Sequence, residues 1–556
     1  MRLPWVGLSG VTNRENVPKG SIFNWRRKNV KMNQLKIGWS TRNVSTTEPV
    51  NIPGQFHMRI SEGIIDPVTV SALAIDNGSD CVIFLSADLV VIRCGLLDEI
   101  RAKVAALDPA IPVLKILMNA THTHTAPTTY GENSDWKAGS STASAEEVPD
   151  SGVAIASANE YREFFVTQAA GAVAEAYAAR KPGGIAYGYG YAVVGHSRRV
   201  VYFDDLSKRP GAVINSTHGV NGHAAMYGST NDPMFSHYEA GADHFINLLY
   251  TFNARGKLTG AVVNVPCPSQ NSEGERRLSA SYWHEAREAI RAKHGDIFIL
   301  PQCAAAGDLA PRVLHYRQAE ARRFALKYGG ENPKNVSEYA ARRDIAERIA
   351  AAFTEVLAWA RKDIRKALPL THAVNTVRLS KRLISDEEYA FAKAELQKLI
   401  EQPYKTDGTP IQQLDANSAL IAGRHRYGRI IARYETQAAE PKLPMELHVL
   451  RIGDIAFASN RFELYMDFQH RIQARSPFEQ TFVVQLAGTS GDGGGTYLAT
   501  ERGAWGKGYS ASMYCNEVSP QGGQELVEET IRTLKELLAR EQGGNTSGSP
   551  VTPLRR

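Results

Sequence analysis

The stretch VLKILMNATHTHTAPTTY, residues 113–130, decides how this chain is read. Its apolar run, Val113 to Met118, predicts a buried strand. Two histidines, His122 and His124, follow it two residues apart. Residues i and i+2 of an extended chain point to the same side. Both imidazoles should therefore emerge together at the carboxyl end of a strand, where open α/β sheets place their sites. Imidazole is the commonest protein metal ligand and an acid/base near neutral pH, so one ring can hold a metal while the other moves protons. In a chain with 15 histidines, a bare His-x-His can equally be two polar loop residues that satisfy backbone groups. The neighbourhood has to decide.

Working outward, three further apolar runs lead straight into polar residues. AVVNVPCPSQ (261–270) sets Cys267 between two prolines, and IAFASNRFE (455–463) ends at Glu463. TFVVQLAG (481–488) enters the Gly-rich turn GTSGDGGGTYLAT (488–500), which carries Tyr497. Strand ends of this kind converge on one crevice, which brings His, Cys, Glu and Tyr within reach of one ion. Imidazole, thiolate and carboxylate are ordinary zinc ligands, and a catalytic zinc keeps one position for water. Tyrosinate is rarer, because a pKa near 10 must fall first, an effect that a cation at contact distance supplies. Each residue also has a plainer reading. Cys267 can be an inert buried thiol, Glu463 a salt-bridge acid, and Tyr497 a loop aromatic.

Two more segments offer charged groups. In PQCAAAGDLAPR (301–312), a strand and a tight turn of small residues precede Asp308 and Arg312. In GHSRRVVY (195–202), Arg198 and Arg199 precede a short apolar run. A fixed arginine suits a carboxylate, a phosphate or a developing oxyanion. The apolar strand from Cys81 ends in Ser86-Ala87-Asp88.

The rest of the 556-residue chain bounds the function. A net charge of +6, mixed along the sequence, gives no basic stripe for nucleic acid. No apolar run reaches the length of a membrane span. The N-terminus lacks an apolar secretory segment, which predicts a cytoplasmic protein. Five scattered cysteines argue against a disulfide framework. Residues 1–34 read as a basic, polar extension, 35–540 as one catalytic domain, and 541–556 as a disordered Gly/Ser/Pro tail. Helical spacing is expected at 97–107, 160–180, 279–294, 339–362, 387–401 and 525–540, with strands between them. That alternation predicts an α/β fold of layered mixed sheets with flanking helices. Residues 131–158 and 203–235 read as long polar loops.

Taken together, the motifs resemble those of the neutral/alkaline, non-lysosomal ceramidase family, in order over most of residues 36–540. HTHTAP is similar to the family's HTHSGP, and GQFHMRI to its Gly-x-His-Met-Arg stretch. VIFLSADLV resembles a strand ending in Val-Asp-Leu, which would place Asp88 at the substrate. AAGDLAPR resembles Gly-Asp-Val-Ser-Pro-Asn, SNRFELY resembles Pro-Gly-Glu-Phe, and YLAT resembles Tyr-Val-Thr-Thr, with Tyr509 at the spacing of a second family tyrosine. The family cleaves the amide of ceramide with zinc. The resemblance implies His122, Glu463 and Tyr497 as metal ligands and His124 as acid/base. It also implies Arg198 or Arg199 as a substrate clamp and Tyr509 as a group that polarises the carbonyl.

Four departures qualify what the resemblance implies. Cys267 stands where the family has a second histidine ligand, and Ala310 where it has a serine. The family's C-terminal immunoglobulin-like domain has no counterpart, and the two polar loops are insertions. The expectation is a hydrolase with one Zn2+ per chain, held by His122, Cys267, Glu463 and Tyr497. It attacks a linear amide with zinc-activated water, and ceramide is not its preferred substrate. Asp88, Asp308 and Arg312 would bind a small molecule bearing an N-acyl or ester group, and a homo-oligomer is compatible with this reading. The alternatives are a cysteine hydrolase built on Cys267 and His124, acting on an ester or amide, and a non-catalytic protein that keeps the fold.

Overall fold

Strands that are buried on both faces read as continuous apolar runs, because neither side of the pleat meets water. The strand Cys81–Ala87 shows this. Val82 and Phe84 point into one apolar cluster, while Ile83 and Leu85 point into another. The computed structural model describes residues 33–130, 143–212, 221–329, 333–491 and 493–540. The expected 1–34 extension, the 541–556 tail and part of each polar loop (131–142 and 213–220) fall largely or wholly outside the described residues.

Two mixed sheets form the centre. The larger runs, edge to edge, through Phe298–Cys303, Leu258–Val265, Phe245–Asn253, Lys181–Tyr191, Lys36–Asn43, Thr69–Asp76, Cys81–Ala87 and Ile116–Ala120. The smaller runs through Leu370–Ser380, Lys442–Ile452, Ile455–Ser459 and Gln480–Val484. Most pairs are antiparallel. The two outermost pairs of the large sheet and one edge pair of the small sheet are parallel. These parallel strands are the ones that run into the polar segments.

The sheets pack face to face. Val82, Phe84 and Leu117 from the large sheet share a core with Ile455, Phe457 and Phe482 from the small one. The rings of Phe457 and Phe482 stack at 4.2 Å, and Phe84 lies 4.9 Å from Phe457. Each such ring contributes about 1.5–3 kcal/mol by leaving water. The outer face of the large sheet is covered by the helices Leu96–Leu107 and Ala158–Ala178 at one end and by Tyr282–His294 and Pro333–Ala360 at the other. The small sheet is covered by Met466–Arg475 and Pro520–Ala539. The result is a four-layer α/β sandwich, the layered fold expected from the alternation of elements.

Some boundaries move. The expected strand at 113–118 begins as a 3-10 turn, Val113–Lys115, and becomes a strand only at Ile116–Ala120. Lys115 is held outside the ladder by Asp80, at 2.9 Å, and by the carbonyl of His372. The 203–235 segment is not simply a loop. Its described part supplies Ala224–Met226 and Phe235–Tyr238, which flank Arg199–Tyr202 in a three-stranded sheet. No described helix is long and apolar enough to cross a membrane.

Candidate functional site

The large sheet's edge strand ends at Ala120, and the chain then turns sharply. His122 has φ 64°, in the left-handed region that non-glycine residues rarely occupy. The two imidazoles are therefore not aligned by a strand pleat, as the sequence suggested. The turn still brings them together, with rings 4.9 Å apart and edge-to-face, and with Nε2 atoms 3.3 Å apart. Strain of this kind, about 1–3 kcal/mol, persists where the surroundings hold it. Here the backbone is tied to the small-sheet side, since Ala120 N donates to Leu486 O and Gly488 N to Met118 O.

His122 Nδ1 lies 2.7 Å from the carbonyl of Val90. A carbonyl can only accept, so Nδ1 carries a proton and Nε2 is the nitrogen turned to the rest of the site. It faces Glu463 Oε2 at 3.4 Å. Glu463 follows the small-sheet strand Ile455–Ser459 and lies in a separate short strand, Glu463–Leu464, paired in parallel with Tyr497–Leu498. Burial alone would raise the Glu463 carboxyl, but His122, Arg198 and the Tyr497 hydroxyl outweigh it and hold it below the usual range. Burial pushes Tyr497 well up, which Arg198 opposes.

Arg198 is the arginine that reaches this group. It is 2% exposed and donates to Glu463 at 3.3 Å, Tyr497 OH at 3.2 Å and Gly307 O at 2.9 Å. Its other amino group meets Gln270 and Tyr227. Arg199 points elsewhere, into a buried ion pair with Glu239 at 2.8 Å, and is not the clamp. Neighbours along a strand face opposite sides.

His124 is buried beneath Gly54. A Cβ on Gly54 would lie 2.8 Å from the imidazole ring, and its φ of 106° also favours glycine. Arg59 donates to the His124 carbonyl at 2.6 Å. His124 Nδ1 has no hydrogen-bond partner, and Glu273 stands 3.9 Å away. Burial first, and then His122 and the nearby arginines, holds this imidazole well below its ordinary pKa. Tyr509 closes the group, with its ring 5.6 Å from Tyr497 and 5.5 Å from Phe56. His122, His124, Glu463, Tyr497 and Tyr509 line one cavity.

Arg198 and Arg199 are not part of its lining, and four more expected site residues also lie outside it. The Cys267 thiol is fully buried in the apolar cluster with Tyr282 and Trp283, and its hydrogen-bond contact is the Pro268 carbonyl at 3.5 Å. Burial, and then Cys303, pushes it well above an ordinary thiol pKa. No contact joins it to His122, His124, Glu463 or Tyr497 among the described residues. It is therefore neither the fourth ligand nor a nucleophile in this arrangement. Asp88 is fully buried against Arg287, at 2.9 and 3.1 Å, and accepts from Thr69 and Thr121. Its role is structural, not substrate binding. Asp308 accepts from Met466 N at 3.0 Å, and burial pushes its carboxyl up to about 7. Arg312 pairs with Glu273 at 2.7 Å, one layer behind His124.

Two of the expected donors, His122 and Glu463, stand at a spacing that a zinc ion would accept. Two ligands of a tetrahedral zinc at about 2.0–2.2 Å stand roughly 3.3–3.5 Å apart, the separation of His122 Nε2 and Glu463 Oε2. A histidine whose far nitrogen is anchored on a carbonyl is the usual arrangement of a metal-binding imidazole. Among the described residues no three His, Cys, Asp or Glu side chains are spaced for a metal.

The sequence missed the opposite wall of the cavity. Arg426 and Arg429 line it from the helix Pro410–Thr436, and Arg93 lines it from the loop before Leu96–Leu107. The spacing RHRYGR, with Arg426 and Arg429 three apart, was a usable signal once a helix was assigned there.

No protein-family model and no curated protein matches this chain. Solved structures do. The chain is similar to the neutral ceramidase of Pseudomonas aeruginosa, with a TM-score of 0.59 and 16% identity over 94% of this chain and 76% of that one. A ceramidase structure complexed with C2 gives a TM-score of 0.58 and 14% identity over 94% and 77%. The fold is ceramidase-like, as the motifs implied.

Proposed function

We propose that this protein is a zinc-dependent hydrolase of linear N-acyl amides, with one metal ion per chain held by His122, Glu463 and Tyr497. The observation that carries this reading is the 3.4 Å separation of His122 Nε2 and Glu463 Oε2, with His122 Nδ1 fixed on Val90 O. Three protein ligands leave a fourth position for water or substrate, the pattern of catalytic zinc. The ceramidase-like fold supports the same class of chemistry by analogy. Zinc, when bound, supplies Lewis acidity and activates water near neutral pH.

The chain's own residues do the rest. Arg198 sits beside Glu463 and Tyr497 and favours the ionised form of the phenol. The Tyr509 hydroxyl assists from across the cavity. His124 is neutral and presents Nε2 toward His122 Nε2, so it can take a proton from water and return it to the leaving nitrogen. Ala310 carries no nucleophile, which leaves water as the attacking group.

The test combines metal analysis with turnover. The purified protein should hold about one zinc and release amine from short N-acyl amides. His122→Ala and Glu463→Gln should lose both metal and at least about a hundredfold in rate, since even outer partners of a metal site cost that much. Full activity after exhaustive chelation would refute the assignment. Water labelled with heavy oxygen should mark the acid product in a single turnover. A trapped acyl-enzyme on the protein would mean a different mechanism.

A further inference from the structure

A buried ion pair outside the cavity touches the segment that carries Tyr509. Arg199 and Glu239 are 0% and 4% exposed, and two N–H···O bonds join them, each at 2.8 Å. The proposed chemistry uses neither residue. The Arg199 guanidinium also reaches one stretch of chain, at Gly503 O (3.3 Å), Lys507 O (2.7 Å) and Ser510 Oγ (3.3 Å). Ser510 Oγ in turn meets the Tyr465 hydroxyl at 2.6 Å, and Arg199 lies 5.6 Å from the Tyr465 ring. Tyr509, the residue before Ser510, lines the cavity.

That stretch is shaped around the pair. The helix Glu501–Gly506 ends there, and a cation suits the carbonyl end of a helix. A Cβ at Gly506 would lie 3.1 Å from Glu239 Oε2, so the chain passes close against the carboxylate. Gly508 has φ 86°, and Lys507 before it has φ 58°, a conformation that L side chains rarely adopt. Such a turn persists where its surroundings hold it. A buried ion pair is a weak source of net stability beside apolar packing, because both charges lose water. A fully bonded pair supplies geometry instead. This one ties together the strand Arg199–Tyr202, the residue after the strand Phe235–Tyr238, and the turn at 503–510.

On the reading of Tyr509 as the phenol that assists at the amide carbonyl, we infer that Arg199 and Glu239 are positioning residues, which fix the 503–510 turn so that Tyr509 stays in the cavity wall beside Tyr497. The rings of Tyr497 and Phe56 set the tilt of the phenol, while the ion pair sets the backbone that carries it. Their contribution is to rate and not to substrate binding, since displacing a reacting group by about 1 Å can cost about a hundredfold.

A double-mutant cycle on the full-length protein separates this role from a general structural one. With N-hexanoylethanolamine as substrate, Tyr509→Phe and Arg199→Lys should each lower kcat about tenfold and change KM less than about threefold. In the Tyr509→Phe background, Arg199→Lys should cost less than about twofold more, because the hydroxyl it positions is gone. A loss of the same size in that background, a loss carried by KM alone, or a wild-type kcat in Tyr509→Phe would overturn the inference while leaving the hydrolase reading intact. If Arg199→Lys does not fold, Ser510→Ala takes its place in the cycle, since it removes one contact of Arg199 and leaves both charges paired. If the wild-type protein does not cleave the amide, hydrogen exchange in the same variant still decides the matter. The amides of residues 503–511 should exchange at least about tenfold faster, with those of Cys81–Ala87 unchanged. That result would uphold the anchoring of Tyr509 even though the hydrolase reading has failed. Unchanged exchange at 503–511, or an equal increase in both segments, would reject it.

Discussion

Adjacent residues in this site have opposite fates, and burial explains why. Arg198 and Arg199 follow one another, yet one reaches Glu463 and Tyr497 and the other Glu239. The sequence showed a pair of arginines near a strand. Which of them reaches Glu463 depends on the pleat, which one residue of register reverses. Asp88 gives the complementary case. It sits at a strand end, as a binding carboxylate does, but the helix Tyr282–His294 reaches it with Arg287. Removing one partner of a buried ion pair strands the other charge and costs about 3–5 kcal/mol. Asp88→Ala should therefore lower stability in urea by about that amount. KM for a hydrolysed amide should change little wherever the variant remains folded. A large rise in KM with unchanged stability would return Asp88 to the substrate site. Cys267 could not be placed from sequence because the two prolines beside it predict a rigid turn but not its direction. The turn aims the thiol at the core.

At the scale of elements, the two-sided burial that makes strands easy to read also hides some of them. Cys81–Ala87, Leu258–Val265 and Gln480–Val484 are continuous apolar runs and were legible. Lys181–Tyr191 was not, because glycine is a poor strand former. A Cβ at Gly188 would lie 2.2 Å from Trp359, so the glycine is there to let the helix Pro333–Ala360 approach the sheet. The helix Pro410–Thr436 was missed because it presents arginines to a cavity and not a clean apolar stripe to a core. The small sheet holds a second feature that only pairing reveals. His372 Nε2 meets His448 Nδ1 at 2.9 Å across two antiparallel strands, and His448 Nε2 meets Glu446 at 2.7 Å. Burial, more than any neighbour, holds both imidazoles below their ordinary pKa, His372 well below. An unfolded imidazole titrates near 6.5. Between that value and the lower folded ones, the unfolded chain binds more protons, so stability is full above about pH 6.5 and falls as the pH drops. The expected slope is up to about 1.4 kcal/mol per pH unit for each histidine. Urea unfolding between pH 7.5 and 5.0 should show it, and His372→Gln should flatten it. A slope unchanged by the substitution would assign the acid sensitivity to other groups.

Across the whole molecule, the proposed metal site lies where the two sheets meet at their carboxyl ends. His122 follows the last strand of the large sheet, while Glu463 and Tyr497 follow strands of the small one. Among the described residues, backbone bonds such as those of Ala120 and Gly488 join the sheets at this end, and Arg198 reaches Glu463 from the small paired strands near residue 197. A metal bound to all three donors would tie the sheets directly. Ligands that bind only the folded state stabilise it by RT ln(1 + [L]/Kd), about 4 kcal/mol at a thousandfold excess over Kd. Removing zinc should therefore lower the melting temperature of the whole domain by several degrees, and adding zinc back should restore it. Hydrogen exchange should locate the loosening at residues 118–124 and 485–498, the two sides of the junction, and not in the phenylalanine-packed centre of the sandwich. The His122→Ala protein should show the lower melting temperature from the start and no response to zinc. If wild type and His122→Ala respond alike to chelation, the metal lies elsewhere or is absent, and the three-donor site loses its support.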